Sequence, residues 1–129
     1  MILVDTSIWI DLFSAKPHFS VSTDKLPFFA TCPPVVQEVL QGIRGKDAYN
    51  NISLGLRALN IFADPVPLQV YIDAANIFRE LRAKGLTIRS SADCLIAAVA
   101  IKHDLIVWHN DRDFDMIARI RPLQATKKI

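Results

Sequence analysis

The chain has 129 residues, 51% of them hydrophobic, and 15 basic against 13 acidic residues give a formal net charge of +2. This length suits one domain, residues 1–129, and the mixed charge is only a weak argument for nucleic-acid binding. No apolar run approaches the ~20 residues of a membrane span, and we expect no signal peptide. Cys32 and Cys94 lack zinc-type neighbours, which favours reduced thiols in a cytoplasmic protein.

Short apolar runs predict the strands of a sheet. Ile2–Val4 is a continuous apolar run, typical of a parallel strand that is buried on both faces, and Leu105–Trp108 has the same character. Further strands are predicted at Phe28–Thr31, at Ile61–Ala63 and, on an edge, at Pro122–Ala125.

Apolar periodicity predicts helices between these strands. From Leu68 to Lys84 the apolar positions follow i, i+3, i+4, i+7 spacing, and the segment from Cys94 to His103 is apolar almost all round, which indicates a central buried helix. The other predicted helices are Ser7–Phe13, Pro33 to about Gly45, Asp47–Asn60 and Arg112–Arg119, with Ser14–Leu26 mainly as loop. This alternation predicts an α/β fold with a mostly parallel central sheet flanked by helices.

Four acidic residues lie where a predicted strand ends or a helix begins: Asp5, Glu38, Asp93 and Asp111. The ends of parallel strands share one edge of a sheet, so these carboxylates could converge on a divalent metal ion. Mg²⁺ or Mn²⁺ at such a site supplies a nucleophile and neutralises phosphoryl charge. The pattern therefore favours a metal-dependent enzyme that acts on phosphate esters, above all a ribonuclease.

Each acid also has a purely structural interpretation. Asp5 and Asp111 each suit the N-cap of the helix that follows. Glu38 suits a solvated position early in its helix. Ser90 and Asp93 have the spacing of a capping box, in which the carboxylate accepts a backbone N–H. Taken one at a time, these readings compete with the metal site.

Taken together, four motifs resemble the PIN domain and, within it, the VapC-type toxins of bacterial toxin–antitoxin pairs. The motifs are Val4-Asp5-Thr6-Ser7, Val36-Gln37-Glu38-Val39, Ser91-Ala92-Asp93-Cys94-Leu95-Ile96-Ala97 and Asn110-Asp111-Arg112-Asp113-Phe114. The resemblance implies that the metal is held by Asp5, Glu38, Asp93 and Asp111, with Thr6 and Asp113 as further catalytic candidates. Because three aspartates alternate here, which of Asp111, Asp113 and Asp115 faces the metal stays open.

The resemblance further implies an endoribonuclease toxin that uses Mg²⁺ or Mn²⁺, is inhibited by a small VapB-type antitoxin, forms a homodimer and cleaves tRNA or another structured RNA. Two alternatives stay open: a non-catalytic PIN-like module that binds RNA or protein, and an aspartate-dependent phosphatase. The residues that follow Asp5 depart from the x-Asp-x-Thr pattern of such phosphatases, which disfavours the second. Two groups of basic residues could form rims for the substrate, although ordinary solvated helix surface explains them equally well: Arg79, Arg82, Lys84 and Arg89, and Arg112, Arg119 and Arg121.

Overall fold

A five-stranded parallel sheet forms the centre of the computed structural model, which describes residues 1–129. The strands are β1 (Ile2–Val4), β2 (Phe29–Thr31), β3 (Asn60–Ile61), β4 (Ile106–Trp108) and β5 (Gln124–Thr126). Their order is β3-β2-β1-β4-β5, and every neighbouring pair is parallel. The predicted α/β fold is confirmed, and β5 lies on an edge as expected.

Six α-helices flank this sheet: α1 (Thr6–Leu12), α2 (Pro33–Gly42), α3 (Lys46–Arg57), α4 (Leu68–Ala83), α5 (Ser91–Lys102) and α6 (Arg112–Ala118). They agree with the predicted helices to within a few residues at each end. A 3₁₀ segment, Thr23–Phe28, begins inside the stretch that was predicted mainly as loop. None of the helices combines the length and the hydropathy that crossing a bilayer requires.

Helix α5 is the most deeply buried helix, as its sequence predicted. Of its 12 residues, seven are buried, and its alanines and valine pack into a core of 27 buried hydrophobic residues. Its most extensive helix contact is with α4, whose buried positions Val70, Ala74, Ile77 and Leu81 follow the predicted helical spacing. Because α5 is packed on most of its surface, its first turn, which carries Asp93, has a well-defined position.

The strand order places β1 in the middle of the sheet, between β2 and β4. The chain leaves β1 towards β2 on one side, whereas β4 and β5 lie on the other side, so a topological switch point falls between β1 and β4. Parallel α/β sheets bind their ligands at such points, beyond the carboxyl ends of the strands. The two strand ends are joined there by a hydrogen bond from Asp5 N to Trp108 O, at 3.0 Å.

Candidate active site

Asp5 follows β1 directly and caps helix α1. Its Oδ2 atom accepts hydrogen bonds from the backbone N–H of Ser7 at 3.0 Å and from the Ser7 hydroxyl at 2.6 Å. The same hydroxyl oxygen accepts the backbone N–H of Asn110 at 3.0 Å, so Ser7 links the ends of β1 and β4. Burial raises the pKa of Asp5, while the Ser7 hydrogen bonds oppose that rise. Its capping role thus leaves the second carboxylate oxygen, Oδ1, buried without a donor.

Glu38 is held by a hydroxyl from another helix. Thr6 Oγ1, in the first turn of α1, donates a hydrogen bond to Glu38 Oε1 on α2 at 3.0 Å. Burial raises the pKa of Glu38, and the negative charges of Asp5 and Asp111 raise it further. Glu38 is therefore half-buried against the other acids and is not the solvated residue of the structural reading.

Asp93, Asp111 and Asp113 form the tightest part of the site, because one carboxylate oxygen from each lies within 4.8 Å of the others. Burial, above all, and the neighbouring carboxylates of Asp113, Asp5 and Asp111 raise the pKa of Asp93 to about 9. The capping box that was the structural alternative for Asp93 is absent, since Ser90 makes no side-chain cap and Asp93 Oδ2 is buried without a donor. Asp93 therefore points into the acid cluster.

Asp113 is fully buried, and both its side chain and its backbone N–H make hydrogen bonds. Its Oδ2 accepts the backbone N–H groups of Arg89, at 3.0 Å, and Ser90, at 3.3 Å, just before α5. Asp111 caps α6 by accepting Asp113 N at 2.9 Å, so its structural role and its place in the cluster use the same geometry. Asp115, the third alternating aspartate, lies 3.2 Å from Lys127 Nζ and outside the cluster.

His109 is a residue of this site that the sequence did not reveal. The ring is 1% exposed, and its Nδ1 accepts the backbone N–H of Asp111 at 3.1 Å. This acceptor role requires the proton to be on Nε2, which lies 3.6 Å from Asp115 Oδ1. Burial lowers the pKa of His109, which favours the neutral ring. A histidine after a strand is ordinary in sequence, and only the structure shows that its ring is buried against Phe114 of α6 while it accepts the backbone N–H of Asp111.

The acid cluster fits a divalent cation. Asp5 Oδ1, Asp93 Oδ2 and Asp113 Oδ1 are all buried and have no hydrogen-bond donor. Such oxygens are costly to bury unless something positive meets them, and carboxylates are the hard ligands that Mg²⁺ and Mn²⁺ prefer. Of the predicted basic residues, Arg89 reaches the cluster, with Nη2 3.9 Å from Asp111 Oδ1, whereas Arg121 pairs with Glu80 on α4.

Comparisons with known proteins show which proteins the whole chain resembles. The family model of the PIN domain matches residues 2–120. The chain is 37% identical over 134 residues to ribonuclease VapC11 of Mycobacterium tuberculosis, with 97% of each chain covered. It is 32% identical over 126 residues to ribonuclease VapC18 of the same organism, covering 91% of this chain and 87% of the relative.

Among solved structures, the fold is similar to a chain of VapBC2 from Rickettsia felis, crystallised with a DNA fragment from its promoter. The TM-score is 0.74 at 22% sequence identity, and 98% of each chain is covered. At this identity the similarity concerns the fold.

Proposed function

The chain belongs to the PIN domain family, and from that premise we propose that it is a VapC-type endoribonuclease toxin that requires Mg²⁺ or Mn²⁺. The observation that carries the proposal is the convergence of five carboxylates, from segments more than a hundred residues apart at the extremes, at the switch point of the sheet. Three of these groups have a buried oxygen with no donor, which a binding-only module would have no reason to keep.

In this proposal Asp5, Glu38, Asp93 and Asp111 hold the metal ion. A bound divalent ion supplies an activated water and neutralises charge that develops on the phosphoryl oxygens. Ser7 fixes Asp5 and Thr6 fixes Glu38, so both carboxylates would be presented to the metal ion in one orientation.

The other residues of the site support this set. Asp113 anchors the start of α5 and faces Asp93, which sets the spacing between α5 and α6. Arg89, two-thirds exposed beside Asp111, is placed to attract the phosphate backbone.

An apolar groove on the other side of α1 is the surface that we propose for the antitoxin. The groove has a volume of about 630 Å³ and lies between α1, the 3₁₀ segment and α3. Its lining includes Trp9, Phe13, Leu26, Ile52 and Leu59, and Phe13 and Leu26 are each 42% exposed. Such a groove suits the apolar face of an amphipathic helix. We call it the antitoxin groove.

The proposal also includes residues 1–129 acting as one domain, a homodimer, and a cytoplasmic location, where RNA and antitoxin would both be present. The dimer is tested by sedimentation of the purified protein. Antitoxin binding is tested by replacing Phe13 with Asp, which should weaken capture of the small protein encoded by the neighbouring reading frame and leave RNA cleavage intact.

One experiment decides between the ribonuclease and its alternatives. The purified protein is incubated with structured RNAs, tRNA included, and with a phosphomonoester, in Mg²⁺, in Mn²⁺ and with a chelator. We expect metal-dependent RNA cleavage that is lost in Asp5→Ala and retained in Asp73→Asn, a surface aspartate 2.9 Å from the Gln69 amide. RNA binding without cleavage would favour the non-catalytic module, and monoester hydrolysis alone would favour the phosphatase.

A further inference from the structure

A second concave surface lies beside the acid site. This cleft has a volume of about 730 Å³ and is formed by α2, α4 and the start of α5. Its lining includes Gln37, Gln41, Tyr71, Phe78, Arg79 and, where it meets the acid site, Glu38. The volume is within the usual range of small-ligand sites, roughly 300–1,000 Å³. We call it the α2–α4 cleft.

We propose that the α2–α4 cleft binds an unpaired nucleobase next to the scissile phosphate and thereby sets the nucleotide preference of cleavage. The inference rests on the proposed ribonuclease function, because Glu38 belongs both to the acid cluster and to the cleft wall. A phosphodiester held at the acids places the neighbouring nucleotide at the mouth of this cleft. The base is the part of that nucleotide that can enter.

The aromatic side chains of α4 supply a stacking surface. Tyr71 is 50% exposed and lines the cleft, so its ring is accessible to a base. Phe78 is half-buried and also lines the cleft. Single-stranded RNA is recognised largely by stacking on such rings and on arginine planes. Tyr71 is therefore the residue that we expect to determine affinity.

The opposite wall offers hydrogen bonds. Gln37 and Gln41 lie one turn apart on α2, and both are exposed. Each amide has donors and an acceptor, which can pair with the edge of a base, and a mismatched base would leave those groups without partners. These two residues are therefore expected to determine which nucleotide is preferred.

The cleft also contains a positively charged side chain, Arg79, that could bind the phosphate or the base of a nucleotide. Arg79 lines the cleft, is exposed and takes part in none of the five ion pairs of the chain. A free guanidinium can contact a phosphate or stack on a base.

The antitoxin has a better-suited surface elsewhere. Half of the 14 residues that line the α2–α4 cleft are hydrophobic, against seven of 11 in the antitoxin groove. The more polar cleft adjoins the carboxylates, as a substrate subsite must, and the more apolar groove is the one suited to a helix.

The test uses short single-stranded RNAs that differ in one nucleotide beside the cleavage position. Cleavage rates in Mn²⁺ give kcat and KM for each RNA, and binding measured in Ca²⁺ gives a Kd that does not depend on turnover. We expect Tyr71→Ala to raise KM and Kd roughly 10-fold with little change in kcat, and Tyr71→Phe to restore both. The double variant Gln37→Ala/Gln41→Ala should flatten the preference among nucleotides.

Tyr49→Ala is the matched control, because Tyr49 is 43% exposed on α3 and lies outside the cleft. It should change neither quantity. A wild-type protein that cleaves RNA while Tyr71→Ala and the double glutamine variant keep wild-type KM, Kd and preference would overturn the subsite and leave the ribonuclease intact. Loss of the dimer or of antitoxin binding in Tyr71→Ala, with RNA affinity unchanged, would assign the cleft to that partner. Absence of cleavage by wild type would count against the proposed function, and the Kd series would still decide the subsite.

Discussion

The two sides of the acid cluster satisfy their carboxylates in different ways. The hydroxyl side consists of Asp5 and Glu38 with the hydroxyls of Ser7 and Thr6, which donate to them at 2.6 Å and 3.0 Å. The aspartate side consists of Asp93, Asp111 and Asp113, which lie within 4.8 Å of one another. On that side Asp93 and Asp113 each keep a buried oxygen without a donor.

This difference shows which side depends more on a bound cation. On the hydroxyl side, neighbouring residues already hold the carboxylates in place, and Asp5 Oδ1 is the one buried oxygen there without a donor. On the aspartate side, like charges are crowded, and burial and the neighbouring carboxylates raise the pKa of Asp93 to about 9. This rise favours the protonated form of Asp93 in the metal-free protein, and metal binding should release that proton.

The largest expected effect comes from removing one carboxyl group on the aspartate side. Asp93→Asn should lower RNA cleavage more than ~100-fold, because even residues that only support metal ligands cost about 10-fold to 100-fold. The same change should raise the thermal midpoint of the metal-free protein, since the amide can donate to Asp113 without a bound proton. Cleavage assays and thermal unfolding with a chelator measure the two effects.

Asp73→Asn is the matched control, an exposed aspartate on α4 that should leave both quantities unchanged. If Asp93→Asn lowered the thermal midpoint of the metal-free protein, repulsion among the three aspartates would not be destabilising the fold.

The sequence was sufficient to group the acids, because parallel strands share an edge and the residues after β1 and β4 must therefore meet. It could not orient them. Asp111, Asp113 and Asp115 alternate along the chain, and which of them lies inward depends on how α6 packs against α5. Similarly, the spacing of Ser90 and Asp93 is compatible with a local capping box, but in the folded chain the Asp93 side chain points towards Asp111 and Asp113.

His109 was missed for the same physical reason, and it gives the next largest effect. Its Nδ1 holds the backbone of Asp111, which ties the aspartate side to the end of β4. His109→Leu removes this acceptor, whereas His109→Asn, of nearly the same shape as Leu, keeps an oxygen close to the Nδ1 position. We expect Leu to weaken Mn²⁺ binding and cleavage about 10-fold to 100-fold, and Asn to retain more of both.

Calorimetric Mn²⁺ titration and kcat measurements on the two variants separate positioning from packing, because both variants lose the ring contact with Phe114, whose centroid is 5.1 Å away. Equal losses in the two variants would mean that packing alone matters at this position.

The pH dependence of stability should also distinguish the two sides. The pKa of Asp93 in the folded, metal-free protein, about 9, lies above its ordinary value of 3.8, so the folded state binds the extra proton between those limits. Its contribution to the free energy of unfolding is complete below pH ~4 and is lost as the pH rises through ~9. The raised pKa values of Asp5 and Glu38 act in the same direction.

The lowered pKa of His109 has the opposite effect, because it makes the free energy of unfolding rise with pH. That rise ends once the pH exceeds the ordinary histidine pKa of 6.5. Between pH 7 and 9 the metal-free protein should therefore lose stability, as measured by urea unfolding with a chelator. Asp93→Asn should flatten this slope, and Mg²⁺ should reverse or abolish it. A wild-type slope that persists in Asp93→Asn would assign the titration to another group.

The smallest expected effects lie on the hydroxyl side, where the chain already satisfies the carboxylates. Ser7→Ala removes both the hydroxyl donor to Asp5 and the acceptor of Asn110 N, and should lower the free energy of unfolding by about 1–2 kcal/mol. Thr6→Val removes only the bond to Glu38 and keeps the side-chain shape, so about 0.5–1 kcal/mol is expected. Urea unfolding of both variants measures the difference. Ser7 links the ends of β1 and β4, whereas Thr6 makes a single bond between α1 and α2. If Thr6→Val lowered the free energy of unfolding more than Ser7→Ala, the bond to Glu38 would be the more important of the two for the stability of the hydroxyl side.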